Sequence, residues 1–290
     1  MSYAGISIIY NPNSTGDSKA MAEDLRTRLN ESGMKSKLIP TKYAGHAREI
    51  ARRIAQKEKR PLIVSSSGDG GYHEVINGVM DSGNIRAICA VLPAGNANDH
   101  SRALHEQPLS SRIIGGHISK LDLIEVNINA QDQKVTEYAH SYVGLGLTPI
   151  VATKLNKQSL TRLKEIYIVI TTFFGYRSFQ IKHDGKIVKL DNLLFANINR
   201  MAKVLKLAPK NKPNDGMFEV IQLPAGHKLQ LVKYLIPGAV THFEKPRRIR
   251  EYEFVVLETM PIQLDGEVMV VEAQSQIVVK AAAKKLRTVI

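Results

Sequence analysis

Apolar residues in the first part of the chain alternate between short continuous runs and runs with helical spacing. The continuous runs contain β-branched residues and predict buried strands at residues 6–10, 36–39, 61–64 and 88–92. Helical spacing predicts a helix at residues 18–30 and a second helix whose apolar face carries Ala47, Ile50, Ala51 and Ile54. A third helix is predicted directly after Ser65–Gly71, and a fourth at 100–104. Alternating strands and helices indicate an α/β fold with a parallel sheet, whose ligands bind at the carboxyl ends of the strands.

The pattern changes after about residue 121, where strand-like runs dominate. They lie at residues 121–127, 138–143, 179–183, 193–198, 218–223, 252–257, 267–271 and 276–279. Asp-Gly pairs separate several of them, and two helix candidates lie near 154–171 and 228–236. We therefore expect an α/β domain over residues 1–121, followed by a mostly antiparallel β domain over 122–274.

The composition is that of a folded protein without a membrane span. Of its 290 residues 43% are hydrophobic and 23% charged, and no apolar run approaches the ~20 residues that a spanning helix needs. Residues 1–10 lack the basic region of a signal peptide. The single cysteine, Cys89, excludes an internal disulfide and fits a reducing cytoplasm, and its apolar surroundings indicate a buried thiol.

The net charge of +13 points to partners of opposite sign. A basic surface attracts nucleic acid or an anionic membrane face, although solubility alone is an equally simple explanation. The chain has no zinc-ligand spacing and no RNA-binding aromatic motif, and it has few aromatic residues to stack on bases. We therefore expect no nucleic-acid partner.

The chain is organised around the stretch from Ser65 to Val79, which combines a strand end, a glycine turn and a helix start. Gly68, Gly70 and Gly71 allow the backbone to approach a ligand closely, and the helix N-terminus favours phosphate. Asp69 beside a phosphate indicates an intervening Mg²⁺. The glycines alone could equally mark a structural turn, because the spacing matches neither the dinucleotide fingerprint nor the P-loop.

Two further polar turns, at residues 11–16 and 95–99, also follow predicted strands. Because the ends of parallel strands meet at one edge, these turns should lie beside the glycine turn at 67–71. Acidic residues stand beside glycine or at strand ends at Asp69, Asp99 and Asp265. A lone Asp-Gly pair usually marks a hairpin turn, so the pairs become informative only in combination.

Five motifs occur in order along almost the whole chain. They read NPNSTG at 11–16, SGDGGYHEVING at 67–78, LPAGNAND at 92–99, AP at 208–209 with DG at 215–216, and LDGE at 264–267. In these motifs the chain resembles the diacylglycerol kinase catalytic-domain family, which includes bacterial soluble lipid kinases, sphingosine kinases and ceramide kinases. The SGDG form is similar to that of sphingosine kinases.

The resemblance implies an N-terminal nucleotide domain, a C-terminal β-sandwich-like domain and an active site in the cleft between them. The final strand would return to the first domain, so that residues 275–290 complete it. ATP and Mg²⁺ are the implied co-substrate and cofactor. The positions that match nucleotide-binding positions of the family are Asn11, Thr41, Ser67, Gly68, Asp69, Gly70, Gly71, Tyr72, His73, Gly95, Asn96 and Glu267.

The resemblance also implies roles for the acidic residues. Asp265 would be the general base that takes the proton from a lipid hydroxyl, while Asp69, Asp99 and Asp122 would organise the catalytic Mg²⁺. A separate structural Mg²⁺ would be bound at Lys212, Asp215 and Met217.

The chain departs from the family pattern where Gly71 and Asn96 replace threonines and where residues 201–207 replace a glycine-rich segment. The implied activity is ATP- and Mg²⁺-dependent phosphorylation of diacylglycerol, a sphingoid base or another lipid alcohol. An enzyme of the NAD kinase class and a non-catalytic lipid- or nucleotide-binding module are the alternatives. We expect a cytoplasmic protein that binds peripherally to the inner membrane face, where Lys245, Arg247, Arg248 and Arg250 hold it on anionic lipid. A homodimer is one possible oligomeric state.

Overall fold

The computed structural model describes residues 3–14, 17–95, 98–104, 107–131, 133–147, 149, 177–201, 205–206, 212–226 and 246–290. The chain divides into two compact units, the first formed by Met1–Leu123 with Ala283–Ile290 and the second by Ile124–Ala282. The predicted helices near 154–171 and 228–236, the motif pair at 208–209, and the residues Asn96 and Lys245 lie outside the described residues. The predicted domain boundaries at 121 and 274 stay a prediction, which limited proteolysis would test.

The first unit is an alternating succession of strands and helices. Its elements are β1 (Gly5–Tyr10), α1 (Ser18–Glu31), β2 (Ser36–Pro40), α2 (His46–Lys57), β3 (Pro61–Ser67), α3 (Asp69–Ser82), β4 (Ile88–Pro93), α4 (Asp99–Leu104) and α5 (Leu109–Gly115), and it shares β5 (Ile118–Asn129) and β17 (Gln276–Val289) with the second unit. Within this unit the strands lie in the order β2, β1, β3, β4 and β17, and these neighbours pair in parallel. The predicted parallel sheet is confirmed, whereas helix α5 was missed.

The core of this unit is apolar because each strand is buried and each helix turns one face inward. Ile8, Leu62 and Val64 from the strands pack with Leu25 and Leu29 of α1. Burial of such aliphatic side chains contributes roughly 1.5–3 kcal/mol each. The apolar spacing seen in the sequence therefore determines which helix faces meet the sheet.

Helices α2 and α3 pack closely at a glycine. A Cβ atom at Gly78 would lie 2.2 Å from the carbonyl oxygen of Arg48, so only glycine permits this approach. The α3 residue Glu74 accepts hydrogen bonds from the backbone N–H groups of Gly45 (2.9 Å) and Ala47 (3.1 Å) at the start of α2. The E-V-x-N-G part of the long motif thus holds α2 against the helix that follows the glycine turn.

The second unit is built from antiparallel strands. Beyond its share of β5 and β17 it contains β6 (Lys134–Ala139), β7 (Tyr142–Gly146), β8 (Phe179–His183), β9 (Lys186–Ala196), β10 (Arg200–Met201), β11 (Leu205–Lys206), β12 (Phe218–Pro224), β13 (Arg247–Ile249), β14 (Glu251–Val256), β15 (Met260–Leu264) and β16 (Glu267–Val271). Strand pairs such as β7 with β9, β8 with β9 and β12 with β9 are antiparallel, as predicted. Phe195 forms edge contacts with Phe218 and Tyr252 in its core.

Two predictions for this unit were wrong in detail. The run at 138–143 is not one strand, because β6 ends at Ala139 and β7 begins at Tyr142. Strand β9 begins at Lys186, seven residues before the predicted start at 193, and it ends at Ala196. Strands β13 and β15 were missed. None of the described helices is long and apolar enough to cross a membrane.

Candidate active site

The carboxyl ends of β1, β2, β3 and β4 lie at one edge of the first unit's sheet. Tyr10 stands beside Ser66, and Ser66 stands beside Leu92 in the parallel pairing. At the neighbouring strand end, the backbone N–H of Thr41 donates to the Tyr10 carbonyl at 2.8 Å. The three polar turns therefore follow adjacent strands, as the sequence predicted.

The first polar turn is shaped by Asn11. Its side-chain oxygen accepts the N–H of Asn13 at 2.9 Å, and its carbonyl accepts the N–H of Ser14 at 3.3 Å. Asparagine favours this local turn because its side chain imitates a backbone carbonyl. The exposed Asn11 and the half-buried Thr41 stand at neighbouring strand ends, and their predicted contact with a nucleotide stays a prediction.

The second and third polar turns are in direct contact at their glycines. A Cβ atom at Gly95 would lie 2.3 Å from the Cα of Gly68, so the third turn does not tolerate a side chain there without a backbone shift, whereas a Cβ atom at Gly68 would make a tight contact of 3.2 Å with the Cα of Gly95. The N–H of Ala94 donates to the Ser67 carbonyl at 3.0 Å. The glycines in both motifs therefore serve backbone packing in addition to any ligand contact.

Asn98 braces the third turn from within. Its side chain accepts the Gly95 N–H at 3.0 Å and donates to the Gly95 carbonyl at 2.7 Å. The residue itself has a φ of +52°, a conformation that asparagine tolerates better than most residues. The asparagine of the N-D pair is thus a structural residue, which the motif match alone did not reveal.

Asp69 links the two glycine turns by its carboxylate. The side chain accepts the backbone N–H groups of Asp99 at 3.0 Å and His100 at 3.3 Å, at the start of α4. The structure therefore brings Asp69 and the buried Asp99 together, two of the four predicted catalytic acids.

The side chain of Ser67 lies in the space next to Gly71. A Cβ atom at Gly71 would lie 2.6 Å from the Oγ and 2.7 Å from the Cβ of Ser67. The Ser67 hydroxyl also lies 2.7 Å from that of Ser65 and donates to the Gly68 carbonyl at 2.9 Å. The Ser67 side chain thus fills the space that a side chain at position 71 would need, and Gly71, which departs from the pattern of the resembled family, leaves that space to it.

The next two residues of the loop face the protein interior. Tyr72 is fully buried with its ring centroid 5.3 Å from that of His100, and His73 is 7% exposed. The ring Nε2 of His73 lies 3.2 Å from the amide nitrogen of Asn77. The side chains of Tyr72 and His73 therefore serve packing of α3, and their predicted role at the nucleotide stays a prediction.

The predicted catalytic Asp122 contacts the C-terminal strand. It is 1% exposed, and its carboxylate accepts the N–H of Lys284 at 2.7 Å. Lys284 has a φ of +53°, so the carboxylate supports an irregular point in β17. This contact gives Asp122 a structural role, and its predicted part in magnesium binding stays a prediction.

Asp265 lies in the two-residue turn between β15 and β16. Its φ is +51° and that of Gly266 is +103°, the left-handed pair that a tight hairpin requires. The fully buried carboxylate accepts the backbone N–H groups of His140 (2.7 Å), Ser141 (2.8 Å) and Tyr142 (3.1 Å). These bonds occupy the gap between β6 and β7, which explains why the predicted strand is interrupted there.

His140 also faces Asp265 with its side chain. The ring Nε2 lies 3.4 Å from the carboxylate, and Nδ1 lies 2.7 Å from the hydroxyl of Ser141. Both residues are fully buried. Nothing in the sequence around His140 indicated this contact, because the two residues are 125 positions apart.

The predicted structural magnesium site of the second unit has an arginine at its carboxylate. Asp215 accepts the N–H of Met217 at 3.1 Å on one oxygen and the guanidinium of Arg248 on the other. Lys212 is exposed, and Glu219 is buried nearby. A divalent cation at Asp215 would stand beside a guanidinium that repels it, so these residues as arranged do not fit a resident metal ion.

Burial raises the pKa of Glu219 to about 7, an effect that Arg248 opposes and Asp215 reinforces. Among the described residues, no group of three or more histidine, cysteine, aspartate or glutamate side chains forms a metal site. A magnesium ion in a kinase is bound by one or two carboxylates together with substrate phosphates, and the role of Asp69 and Asp99 at such an ion stays a prediction. Glu267, also predicted at the nucleotide, is exposed at the start of β16.

Comparison with known proteins shows which proteins this chain is similar to. Residues 5–126 match the family model described as "Diacylglycerol kinase catalytic domain". A diacylglycerol kinase of Staphylococcus carnosus is 28% identical over 280 residues, covering 90% of this chain and 87% of the relative. One of Bacillus subtilis is 29% identical over 283 residues, covering 90% and 88%.

Solved structures give the same picture for the fold. A diacylglycerol kinase of Bacillus anthracis superposes with a TM-score of 0.75 at 18% identity, covering 100% of this chain and 97% of that one. A putative diacylglycerol kinase of the same organism gives 0.76 at 19% identity, covering 100% and 98%. The family model and the curated relatives confirm the resemblance that the motifs predicted, and the solved structures confirm the fold class.

Proposed function

We propose that this chain, a lipid kinase that carries a diacylglycerol kinase catalytic domain over residues 5–126, transfers the γ-phosphoryl group of ATP to a hydroxyl group of a lipid such as diacylglycerol. The reaction would depend on Mg²⁺. The names of its relatives and the catalytic-domain model that matches this chain support the enzyme class. The acceptor and the metal dependence are our inference from the site.

The observation that carries this proposal is the link between the two glycine turns. Gly68 and Gly95 touch, and the Asp69 carboxylate lies at the amide groups of Asp99 and His100. Helix α3 begins at Asp69, so its first amide groups face the turn without an intrahelical acceptor. Phosphate-binding amides and two acidic residues therefore occur together, as phosphoryl transfer requires.

Each residue of the site has a proposed task. The amide groups of the glycine turn bind and orient the ATP phosphates, and Asn11 and Thr41 contact the nucleotide at the neighbouring strand ends. Asp69 and Asp99 would hold a Mg²⁺ ion, which when bound neutralises charge on the phosphates. Water-mediated contact from Asp122 would complement them.

Asp265 is proposed to accept the proton of the lipid hydroxyl during transfer. Three backbone N–H groups hold its carboxylate in one orientation, which favours a positioned base. The same bonds would also suit a purely structural residue, so the variant Asp265→Asn needs two readouts. Asparagine places an amide donor against backbone donors, and unfolding must be measured beside turnover.

The test is transfer of labelled phosphate from ATP to mixed micelles containing diacylglycerol, with and without Mg²⁺. Wild type should form a phosphorylated lipid only with Mg²⁺, and Asp265→Asn should lose turnover while still binding ATP. Retained turnover in this variant would exclude the base assignment. Lost turnover together with lost ATP binding and a collapsed unfolding midpoint would assign Asp265 to the structure.

A sphingoid base or another lipid alcohol is the second candidate acceptor. Ser67 favours it, because the SGDG form at 67–70 is similar to that of sphingosine kinases. Parallel micelles with sphingosine, and NAD as a soluble acceptor, decide between the acceptors. Phosphorylation of NAD alone would establish the NAD kinase class, and ATP binding without any transfer would establish a binding module.

We further propose that the enzyme acts in phospholipid biosynthesis at the inner membrane face of the cytoplasm, bound peripherally to anionic lipid. The net charge of +13 and the exposed Arg247 and Arg250 support this proposal. Sedimentation with vesicles of anionic or neutral lipid tests it, since binding should require the anionic vesicles and weaken with salt. A homodimer is proposed as well, to be tested by light scattering.

A further inference from the structure

Arg248 lies between two carboxylates of the second unit. On the paired strands β12 and β13 it stands directly opposite Glu219. Its guanidinium donates to Asp215, and its Nε lies 3.7 Å from Glu219 Oε1. One cation therefore serves both acidic side chains.

The need for a cation at this point follows from burial and charge. Glu219 is 2% exposed, and its Oε2 is buried without a hydrogen-bond partner among the described residues. The side chain of Asp215 is 22% exposed and that of Arg248 41%. Without a positive charge, two carboxylates would face each other with little solvent to screen them, which is costly.

Two kinds of cation could meet this need. A divalent metal ion would bind the carboxylate oxygens together with backbone carbonyls. An arginine can reach both carboxylates with its planar guanidinium group, which has several N–H donors. This group stays positively charged at any ordinary pH. The structure contains the second arrangement, with the guanidinium on one Asp215 oxygen and the N–H of Met217 on the other.

We propose that Arg248 replaces the structural divalent cation in this chain, so that the second unit is stable without bound metal. The proposal is independent of the proposed activity, because its readout is unfolding and not phosphoryl transfer. It also predicts that removing the guanidinium turns Asp215 and Glu219 into a divalent cation site.

The experiment is thermal unfolding of the whole chain in EDTA and over a titration with Mg²⁺ or Ca²⁺. Wild type should have the same midpoint in EDTA and in millimolar Mg²⁺. Arg248→Gln should lower the midpoint by roughly 5 °C in EDTA and regain most of it with the divalent cation. Arg247→Gln is the matched control, since this exposed neighbour on β13 should change neither value.

Asp215→Asn assigns any effect of metal to this position. A wild-type midpoint that rises saturably with Mg²⁺, and no longer rises in Asp215→Asn, would overturn the proposal. A rise that persists in Asp215→Asn comes from another site and leaves the proposal standing. If Arg248→Gln does not fold, Arg248→Lys is the substitute, because lysine keeps the positive charge but lacks the planar guanidinium group. The comparison of wild type with Asp215→Asn in Mg²⁺ still decides whether wild type binds a metal ion at this position.

Discussion

Replacing Gly71 by threonine, the residue that the family has at this position, should damage the glycine turn of this chain. The new Cβ would lie 2.6 Å from the Ser67 Oγ and 2.7 Å from the Ser67 Cβ, whereas carbon atoms normally approach to about 3.5–4.0 Å. Rotation of the Ser67 side chain moves the hydroxyl but leaves Cβ in place. The backbone of the turn must therefore shift, and such overpacking costs about 1–3 kcal/mol.

The same geometry predicts a rescue. Ser67→Gly removes both atoms that collide, so the double variant with Gly71→Thr should be more stable than Gly71→Thr alone. Ser67→Gly by itself loses the hydrogen bonds to Ser65 and Gly68 and adds backbone freedom, at a cost of roughly 1–2 kcal/mol. The two changes together should show a favourable coupling of about 1–3 kcal/mol.

Urea unfolding of wild type, both single variants and the double variant measures this coupling, and ATP binding shows whether the turn keeps its function. Gly115→Ala is the control, because its added carbon would make only an ordinary contact of 3.5 Å with His117. Additive effects of the two changes, or a Gly71→Thr variant as stable as wild type, would refute the steric argument.

Three further outcomes follow from other contacts. Gly78→Ala should lower the free energy of unfolding by about 1–3 kcal/mol, because the added carbon meets the Arg48 carbonyl at 2.2 Å; an unchanged urea midpoint would contradict this. Glu74→Ala should cost about 1 kcal/mol in the same assay, since α2 loses its N-terminal hydrogen bonds, whereas Glu74→Gln should lose less. Burial raises the pKa of Cys89 to about 12, so the thiol should stay protonated from pH 7 to 9 and react with a thiol reagent only in denaturant; labelling of the native protein at pH 8 would contradict this.

The elements of the first unit could be predicted because their signals are local. The alternation of buried runs and helical spacing depends only on neighbouring residues, and it placed α1 within one residue of its observed end. The second unit is determined by contacts far apart in sequence. The break between β6 and β7 exists because backbone N–H groups at His140 and Ser141 bind the carboxylate of Asp265, which no periodicity indicates.

Strand β15 was missed for a related reason. Pro261 lies near its start, and proline normally argues against a central strand. The pairing with β7 covers only Ile262, Gln263 and Leu264, so the proline lies beyond the part that has neighbours on both sides. The sequence shows the proline but not the length of the neighbouring strand.

In the candidate site as well, the sequence showed which residues occur together but not which groups each side chain contacts. The sequence identified Asp69, Asp99 and the glycines, since each belongs to a recognisable motif. It did not show that Glu74 caps α2 or that Asn98 braces the third turn, because a motif match does not separate structural residues from ligand-binding ones. Only the hydrogen-bond partners make that distinction.

Asp69 is a structural residue and also a proposed magnesium ligand, and this affects how its variants must be interpreted. Its carboxylate receives the backbone N–H groups of Asp99 and His100, so Asp69→Asn changes the support of α4 as well as the charge beside a phosphate. Asp99→Asn alters a carboxylate but leaves the backbone donor to Asp69 intact. If both residues bind Mg²⁺, both variants should raise the Mg²⁺ concentration needed for half-maximal turnover. Asp69→Asn should also lower the unfolding midpoint, because it weakens the hydrogen bonds that hold the start of α4, so unfolding must be measured beside turnover to separate the chemistry of the site from its architecture.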